Sequence, residues 1–161
     1  MSVQLRPARR EDAAELLRLI RELARYEKAE EQVETDEDQL AATLFDAVAT
    51  AHAIVAELDG RLVGMAIYFF NYSTWQGRNG LYLEDLFVEP EQRGAGIGKV
   101  LLARLAAIAV EQGCGRFEWS VLDWNAPAIE FYESLGARPQ SEWVRYRLEG
   151  EALQALARTA S

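Results

Sequence analysis

The chain has 161 residues, a length typical of one domain with a sizeable hydrophobic core. Its net charge of −9 argues against a broad basic surface for DNA or RNA. The single cysteine, Cys114, excludes an intrachain disulfide, and one Cys with one His is too few for a structural zinc site. The N-terminus lacks an apolar signal-peptide core, and the longest apolar run, 63–70, is too short to cross a membrane. These features predict a cytoplasmic protein without a nucleic-acid or membrane partner.

The first half of the chain predicts two helices followed by three strands. A short strand over 3–6 precedes a helix over 10–26, whose leucines recur at helical spacing. Thr35 is the predicted N-cap of a second helix that ends near Val48, with Asp38 in capping-box position. Asp59-Gly60 predicts a hairpin turn between strands over 53–58 and 62–70. A third strand follows over 80–88, so the sheet should begin antiparallel.

The second half alternates helices and strands. The predicted elements are a helix over 96–112, a strand over 116–122, a helix over 125–135, a strand over 143–148 and a terminal helix over 151–158. The strand–helix–strand unit in its centre should be parallel. The order β-α-α-β-β-β-α-β-α-β-β predicts a mixed α/β sheet, mostly antiparallel, in a single domain over 1–161.

The turn that follows the predicted strand over 80–88 is rich in glycine. Arg93, Gly94, Gly96 and Gly98 follow an apolar strand and lead directly into a helix. Glycines allow close approach of a ligand to the backbone, and the first N–H groups of a helix have no intrahelical acceptor. Together with the helix dipole, they predict a phosphate site.

Two common phosphate-binding motifs do not fit this turn. A P-loop needs a glycine five residues before Gly98-Lys99 and a Ser or Thr after it, where Arg93 and Val100 stand. A dinucleotide-binding fingerprint needs a third glycine at position 99 or 101, where Lys99 and Leu101 stand. The pattern that remains is Arg93-x-x-Gly96-x-Gly98.

Most of the negative charge lies in one segment. Residues 27–38 contain seven carboxylates and one lysine, Lys28. The segment is either a solvated helix end and linker, or an electrostatic funnel for a cationic substrate. The sequence alone leaves both interpretations open.

Arg93-x-x-Gly96-x-Gly98 resembles the coenzyme A pyrophosphate loop of the GNAT N-acetyltransferases. Four further stretches, 19–27, 30–33, 81–85 and 124–132, resemble the diamine acetyltransferases of the spermidine/spermine and thialysine type. The resemblance implies a GNAT fold with helices on both faces of the sheet, acetyl-CoA as cofactor, no metal, and a homodimer. It also implies an enzyme that transfers acetyl directly to a primary amine of a small cationic substrate, either a polyamine or diamine or a lysine-like amine such as thialysine.

The identity of the amine stays open. A short loop over 58–62, Ser73-Thr74 before Trp75, and one added residue before Glu84 depart from the vertebrate diamine enzymes on the amine side. Alternatives are a GNAT enzyme for another amine, such as an amino acid, an antibiotic or a protein N-terminus, or a non-catalytic coenzyme A-binding module.

Acetyl transfer needs a neutral amine and a protonated leaving thiolate, which predicts a base and an acid. Glu84 is the predicted base, through water, and the resemblance implies Tyr132 as the acid; Tyr132 could alternatively be a core aromatic. Asn125 could contact the coenzyme or cap a helix before Pro127. The predicted substrate-binding residues are Glu27, Glu31, Trp75, Glu84 and Asp85. The predicted cofactor-binding residues are Leu86, Phe87, Val88, Arg93, Gly94, Ala95, Gly96, Ile97, Gly98, Lys99, Asn125 and Tyr132.

Overall fold

The structure is a computed structural model that describes residues 2–160. The chain divides into two compact units, the first ending at Leu122 and the second beginning at Asp123. The first unit contains β1 (Gln4–Pro7), α1 (Ala13–Tyr26), α2 (Glu37–Phe45), β2 (His52–Leu58), β3 (Arg61–Ser73), β4 (Arg78–Val88), α3 (Ile97–Glu111) and β5 (Phe117–Trp119). Short 3-10 turns cover Arg10–Asp12, Glu30–Gln32 and Pro90–Gln92.

The first unit is built on one five-stranded sheet with the strand order β1-β2-β3-β4-β5. The first four strands are antiparallel, and β5 pairs parallel to β4 across the α3 connection. Asp59 and Gly60 join β2 to β3 with φ values of 53° and 77°, as a two-residue type I′ hairpin turn requires. The mixed, mostly antiparallel sheet predicted from the sequence is confirmed.

One face of this sheet is covered by α1 and α2. The leucines of α1 that recur at helical spacing are buried, with Leu16 and Leu19 fully inaccessible to solvent. They form one hydrophobic cluster with Leu40 and Leu44 of α2 and with the sheet residues Val55, Leu62, Met65, Ile67 and Phe87. This packing fixes the C-terminal end of α1 relative to the middle of β4.

The opposite face of the sheet packs against α3. Gly64 of β3 faces this helix, since a Cβ at Gly64 would lie 3.5 Å from Leu101 of α3, at ordinary contact distance. Leu101 and Leu105 are fully buried at this contact. The prediction of helices on both faces of the sheet is therefore confirmed in the first unit.

The start of α2 differs from the prediction. The carboxylate of Asp36, not the hydroxyl of Thr35, caps the helix and accepts a hydrogen bond of 2.8 Å from the N–H of Gln39. The Thr35 hydroxyl contacts the Asp36 carbonyl oxygen instead, at 3.3 Å. The helix also ends at Phe45, before the predicted boundary at Val48.

The second unit contains α4 (Ala126–Ser134) and α5 (Gly150–Ala157), each boundary within one residue of the prediction. The strand predicted over 143–148 is wrong, because these residues form no strand, and the strand predicted over 116–122 shortens to β5. Alternating Val, Tyr and Leu residues favour strand conformation only where a neighbouring ladder accepts their backbone hydrogen bonds. The order of elements therefore lacks the strands predicted after α4, and α5 is the next element.

Residues 2–160 contain neither a membrane-spanning helix nor a cluster of metal ligands. None of the helices has both the length and the apolar character needed to cross a membrane. Within the same residues, no three His, Cys, Asp or Glu side chains are grouped so that they could hold a metal ion.

Candidate active site

A β-bulge in β4 determines how the two adjacent acids are presented. Asp85 pairs with Ile67 of β3 and Leu83 pairs with Tyr68, so Glu84 is the extra residue without a direct partner. Directly paired residues share a face, which places Asp85 with Ile67 on the α1 side of the sheet. Without the bulge, regular alternation would place Asp85 and Leu83 on the same face. The bulge therefore turns Asp85 toward the end of α1.

Asp85 is a half-buried carboxylate in a negatively charged environment. Burial raises the pKa of Asp85 to about 6, and the carboxylates of Glu84 and Glu27 add to this increase. Glu27 follows the last residue of α1 and is exposed, yet partial desolvation also raises its pKa. Three carboxylates thus converge at one place, where an ammonium group would relieve their repulsion.

Arg93 connects this acidic site to the glycine turn. Its guanidinium carbon lies 5.2 Å from the centre of the Tyr26 ring and 5.4 Å from that of Phe87, within the range of cation–π contacts. Its Nε donates a hydrogen bond of 3.1 Å to the Val88 carbonyl oxygen. Tyr26 directly precedes Glu27, so Arg93 reaches from the glycine turn to the end of α1 that carries the acid.

The glycine turn has the conformation that an anion-binding cradle needs. Gly94 and Gly96 have φ values of 91° and 81°, which L-residues rarely adopt, and no atom lies within 4 Å of a Cβ built at either position. The first intrahelical hydrogen bond of α3 runs from Val100 N–H to the Gly96 carbonyl. The N–H groups of residues 97–99 therefore have no intrahelical acceptor, and the first turn contains no acidic residue. An open backbone cradle at the positive end of a helix fits a pyrophosphate group.

Tyr132 and Asn125 both belong to α4 in the second unit. Asn125 is the N-cap, and its side-chain oxygen accepts a hydrogen bond of 3.4 Å from the N–H of Ala128. Pro127 occupies the first turn, as the sequence predicts. Tyr132 lies near the end of the helix, with its ring centre 5.8 Å from that of Phe131. Asn125 therefore makes the helix cap, while a contact with the coenzyme stays a prediction.

Comparison with known proteins identifies the family. The sequence matches the acetyltransferase (GNAT) family over residues 13–137, most of the chain. The chain belongs to the GNAT acetyltransferase family. It is 44% identical to a thialysine N-epsilon-acetyltransferase of Sus scrofa, over 97% of this chain and 98% of that protein. The family and the enzyme class implied by the resemblance are thereby confirmed.

Two further comparisons extend this result. An L-ornithine N5-acetyltransferase of Arabidopsis thaliana is 45% identical over 59% of this GNAT chain and 42% of its own length. Among solved structures, an integron cassette protein from the mobile metagenome of V. cholerae superposes with a TM-score of 0.82 at 32% identity, covering 98% of both chains. The GNAT fold is therefore shared over almost the whole length.

The GNAT structure brings together some of the predicted site residues and separates others. Glu27, Glu84, Asp85, Phe87 and Arg93 lie in one region of the first unit. Leu86 and Val88 continue β4 from Asp85 toward the glycine turn. Glu31 is exposed in the 3-10 turn after α1.

Trp75 is not part of this cluster. It lies 89% exposed at the tip of the β3–β4 hairpin. The stretch of β4 between Arg78 and Asp85 measures roughly 20 Å at the usual rise of about 3.3 Å per residue. Contact between Trp75 and an amine at Asp85 of the same chain would have to span that distance.

Sequence reasoning missed two residues of this region, Tyr26 and Glu89. Tyr26 ends α1, and only the packing of α1 on the sheet brings its ring to Arg93. Glu89 lies between an apolar strand and Pro90, and its side chain is 97% buried. An acid directly after an apolar strand is a weak sequence signal that could have drawn attention to it.

Tyr132→Phe tests the predicted acid. If the hydroxyl protonates the leaving thiolate, the variant should lower kcat about 100-fold or more with little change in coenzyme affinity. Steady-state turnover and calorimetric coenzyme titration measure the two effects. Tyr146→Phe, an exposed tyrosine of the same unit, is the matched control and should leave both unchanged. An unaltered kcat in Tyr132→Phe would remove Tyr132 from the mechanism.

Proposed function

We propose that this GNAT enzyme transfers the acetyl group of acetyl-CoA to the side-chain amine of a small cationic substrate, with lysine-like amines such as thialysine as the best candidates. The observation that carries the proposal is the desolvated carboxylate of Asp85 between Glu84 and Glu27. A site with three converging carboxylates favours a ligand that carries an ammonium group. The full-length similarity to a thialysine acetyltransferase supports the same class of substrate.

The glycine turn and the start of α3 are the proposed coenzyme-binding residues. The N–H groups of residues 97–99 and the guanidinium of Arg93 would hold the pyrophosphate, and Leu86 to Val88 would lie along the pantetheine arm. Acetyl-CoA supplies the activated thioester. Lys99 adds a positive charge to the first turn of α3, which favours an anion there.

The proton leaves the amine toward the acidic cluster. The substrate ammonium has an ordinary pKa of about 10.4, so a group must accept its proton before the nitrogen can attack. A carboxylate whose pKa is raised to about 6 is a stronger base at neutral pH than an exposed carboxylate. We therefore assign proton acceptance to Asp85, directly or through water, and attraction of the cation to Glu84 and Glu27. This assignment differs from the prediction made from the sequence, in which Glu84 is the base.

A polyamine or diamine is the second candidate substrate. The negative charge of residues 27–38 would suit a substrate with more than one ammonium group. The similarity to an ornithine acetyltransferase supports the first candidate, a lysine-like amino acid, because ornithine also carries its second amine on the side chain. The lysine-like amines and the polyamines share the ammonium group that the carboxylates would bind.

An amine panel distinguishes these candidates. Acetyl-CoA turnover would be measured with thialysine, lysine, ornithine, spermidine and putrescine, and with norleucine, which has no side-chain amine. We expect the highest kcat/KM with thialysine or lysine, at least about 100-fold above norleucine, because norleucine has no side-chain amine to accept the acetyl group and no side-chain ammonium for the carboxylates to bind. The proposal would be refuted if norleucine were turned over and no substrate with a side-chain or terminal amine were acetylated at that amine.

The domain organisation, oligomeric state and location of the protein are also proposals. We propose that both units form one acetyltransferase domain, because the family match crosses the boundary at Leu122. We also propose a homodimer in the cytoplasm without nucleic-acid or membrane partners; the family resemblance supports the dimer, and the net charge of −9 argues against nucleic-acid binding. Size-exclusion chromatography with light scattering would measure the oligomeric state.

A further inference from the structure

Glu89 is a buried acid between the acidic site and the coenzyme turn. It follows the last residue of β4 and precedes the 3-10 turn Pro90–Gln92, which leads to Arg93. Its side chain is only 3% exposed. A carboxylate this deeply buried needs compensating partners, because removal from water disfavours the charged form.

The partners of Glu89 come from three separate parts of the first unit. Its Oε2 accepts hydrogen bonds of 2.7 Å from both Arg18 of α1 and Arg61 at the start of β3. Its backbone N–H donates to the Val63 carbonyl at 2.9 Å, and its own carbonyl accepts from the N–H of Gln92 at 2.9 Å. One residue thus joins α1, β3 and the turn that precedes the coenzyme cradle.

This arrangement is poorly explained by stability alone. Oε1 of Glu89 is buried without a hydrogen-bond partner among residues 2–160. An apolar side chain of similar size would avoid the cost of that oxygen, and replacing buried ion pairs by apolar groups is often neutral or stabilising. What an apolar residue could not do is hold α1 and β3 to the turn by directed bonds.

The network closes the turn just before the cradle begins. Arg93 bonds back to the carbonyl of Val88, the neighbour of Glu89, and its N–H donates to the Pro90 carbonyl at 3.2 Å. Gly94 and Gly96 follow at once in the positive-φ region. The orientation of the cradle therefore depends on the segment that Glu89 anchors.

We propose that Glu89 is a positioning residue for coenzyme binding, which holds the turn from Val88 to Arg93 in the conformation that presents the glycine cradle. The inference rests on the proposed role of that cradle as the acetyl-CoA site. A cradle that is already ordered does not lose conformational entropy when the coenzyme binds, so loosening it lowers affinity without altering the chemical step.

The test is Glu89→Gln, which keeps the size of the side chain and removes its charge. We expect the Kd of coenzyme A, measured by calorimetry, and the KM of acetyl-CoA to rise about tenfold, equivalent to about 1.4 kcal/mol. The KM of the amine and kcat at saturating acetyl-CoA should stay within about twofold. Arg61→Met removes one partner of Glu89 at a position that is 59% exposed, so this variant should fold and show a smaller change in the same direction.

Glu57→Gln is the matched control. Glu57 of β2 also pairs with an arginine, Arg6, at 2.9 Å, but this pair lies on strands that do not lead into the coenzyme turn. The control should leave the Kd of coenzyme A unchanged. An unchanged Kd in both Glu89→Gln and Arg61→Met, or an equal loss in Glu57→Gln, would overturn the positioning role. Failure of the unmodified enzyme to bind coenzyme A would instead refute the proposed function, so the two outcomes are distinguishable.

Discussion

Asp85→Asn is expected to make the protein more stable at pH 8 and to lower kcat/KM about 100-fold or more. The folded-state pKa of Asp85, about 6, lies above its ordinary value of 3.8, so the folded protein disfavours the charged carboxylate. This cost is fully present above pH 6 and disappears as the pH falls below the ordinary value, where the carboxyl is protonated in both states. Asparagine removes the cost and also removes the proton acceptor.

The expected stabilisation is about 1 to 2 kcal/mol at pH 8, allowing for the solvent that still reaches this half-buried group. Urea denaturation at pH 8 and near pH 4 would measure it, and the difference between variant and unmodified protein should shrink at the lower pH. Asp59→Asn, in the exposed β2–β3 turn where asparagine suits the positive φ of 53°, is the control and should change stability little at either pH.

The pH profile provides an independent readout of the same carboxyl. In the unmodified enzyme, kcat/KM should fall as the pH decreases through about 6, because protonated Asp85 cannot accept the proton. If Glu84 serves mainly to attract the cation, Glu84→Gln should keep the same fall of kcat/KM at acidic pH and should raise the KM of the amine. Full activity in Asp85→Asn together with a large loss of kcat in Glu84→Gln would restore Glu84 as the base.

Gly96→Val is expected to abolish measurable coenzyme binding. The backbone of Gly96 has a φ of 81°, where a β-branched residue is strained by about 1 to 2 kcal/mol, and the added methyl groups would stand in the cradle. Gly113→Val is the matched control for strain, since Gly113 has a φ of 72° at the other end of α3 with nothing within 4 Å of a Cβ. Both variants should lose similar stability, and only Gly96→Val should lose the coenzyme.

Gly98→Ala is expected to lower coenzyme affinity without lowering the stability of the protein. Gly98 lies in the first turn of α3, and a Cβ there would meet only a Val88 methyl group at 3.9 Å, an ordinary contact. Alanine favours a helix over glycine by up to about 1 kcal/mol, so the variant should be as stable as the unmodified protein or more stable. We nevertheless expect coenzyme affinity to fall about tenfold, because the Cβ lies beside the N–H groups that would face the pyrophosphate. Unchanged coenzyme affinity in both Gly96→Val and Gly98→Ala would refute the cradle.

Several predictions from the sequence depended on short stretches of chain, and these agree with the structure. The Asp59-Gly60 turn, the buried leucines of α1 and the turn conformation of Gly94 and Gly96 are each encoded within a few neighbouring residues. Prediction was wrong where two adjacent residues compete for one role, as with Thr35 and Asp36 at the start of α2. It was also wrong for the strand over 143–148, since strand propensity cannot supply a missing partner strand.

The sequence by itself determined the family, the class of reaction and the glycine turn, because each of these is carried by local spacing. Only the tertiary structure decided how the acids are arranged. The bulge at Glu84 exists relative to the register of β3, and it turns Asp85 toward Glu27. Likewise, Arg18 lies 71 residues from Glu89 in the sequence, so no local pattern could reveal that these two side chains form an ion pair. Burial and charge coupling arise from contacts between distant segments, and these contacts set which carboxylate holds a proton near neutral pH.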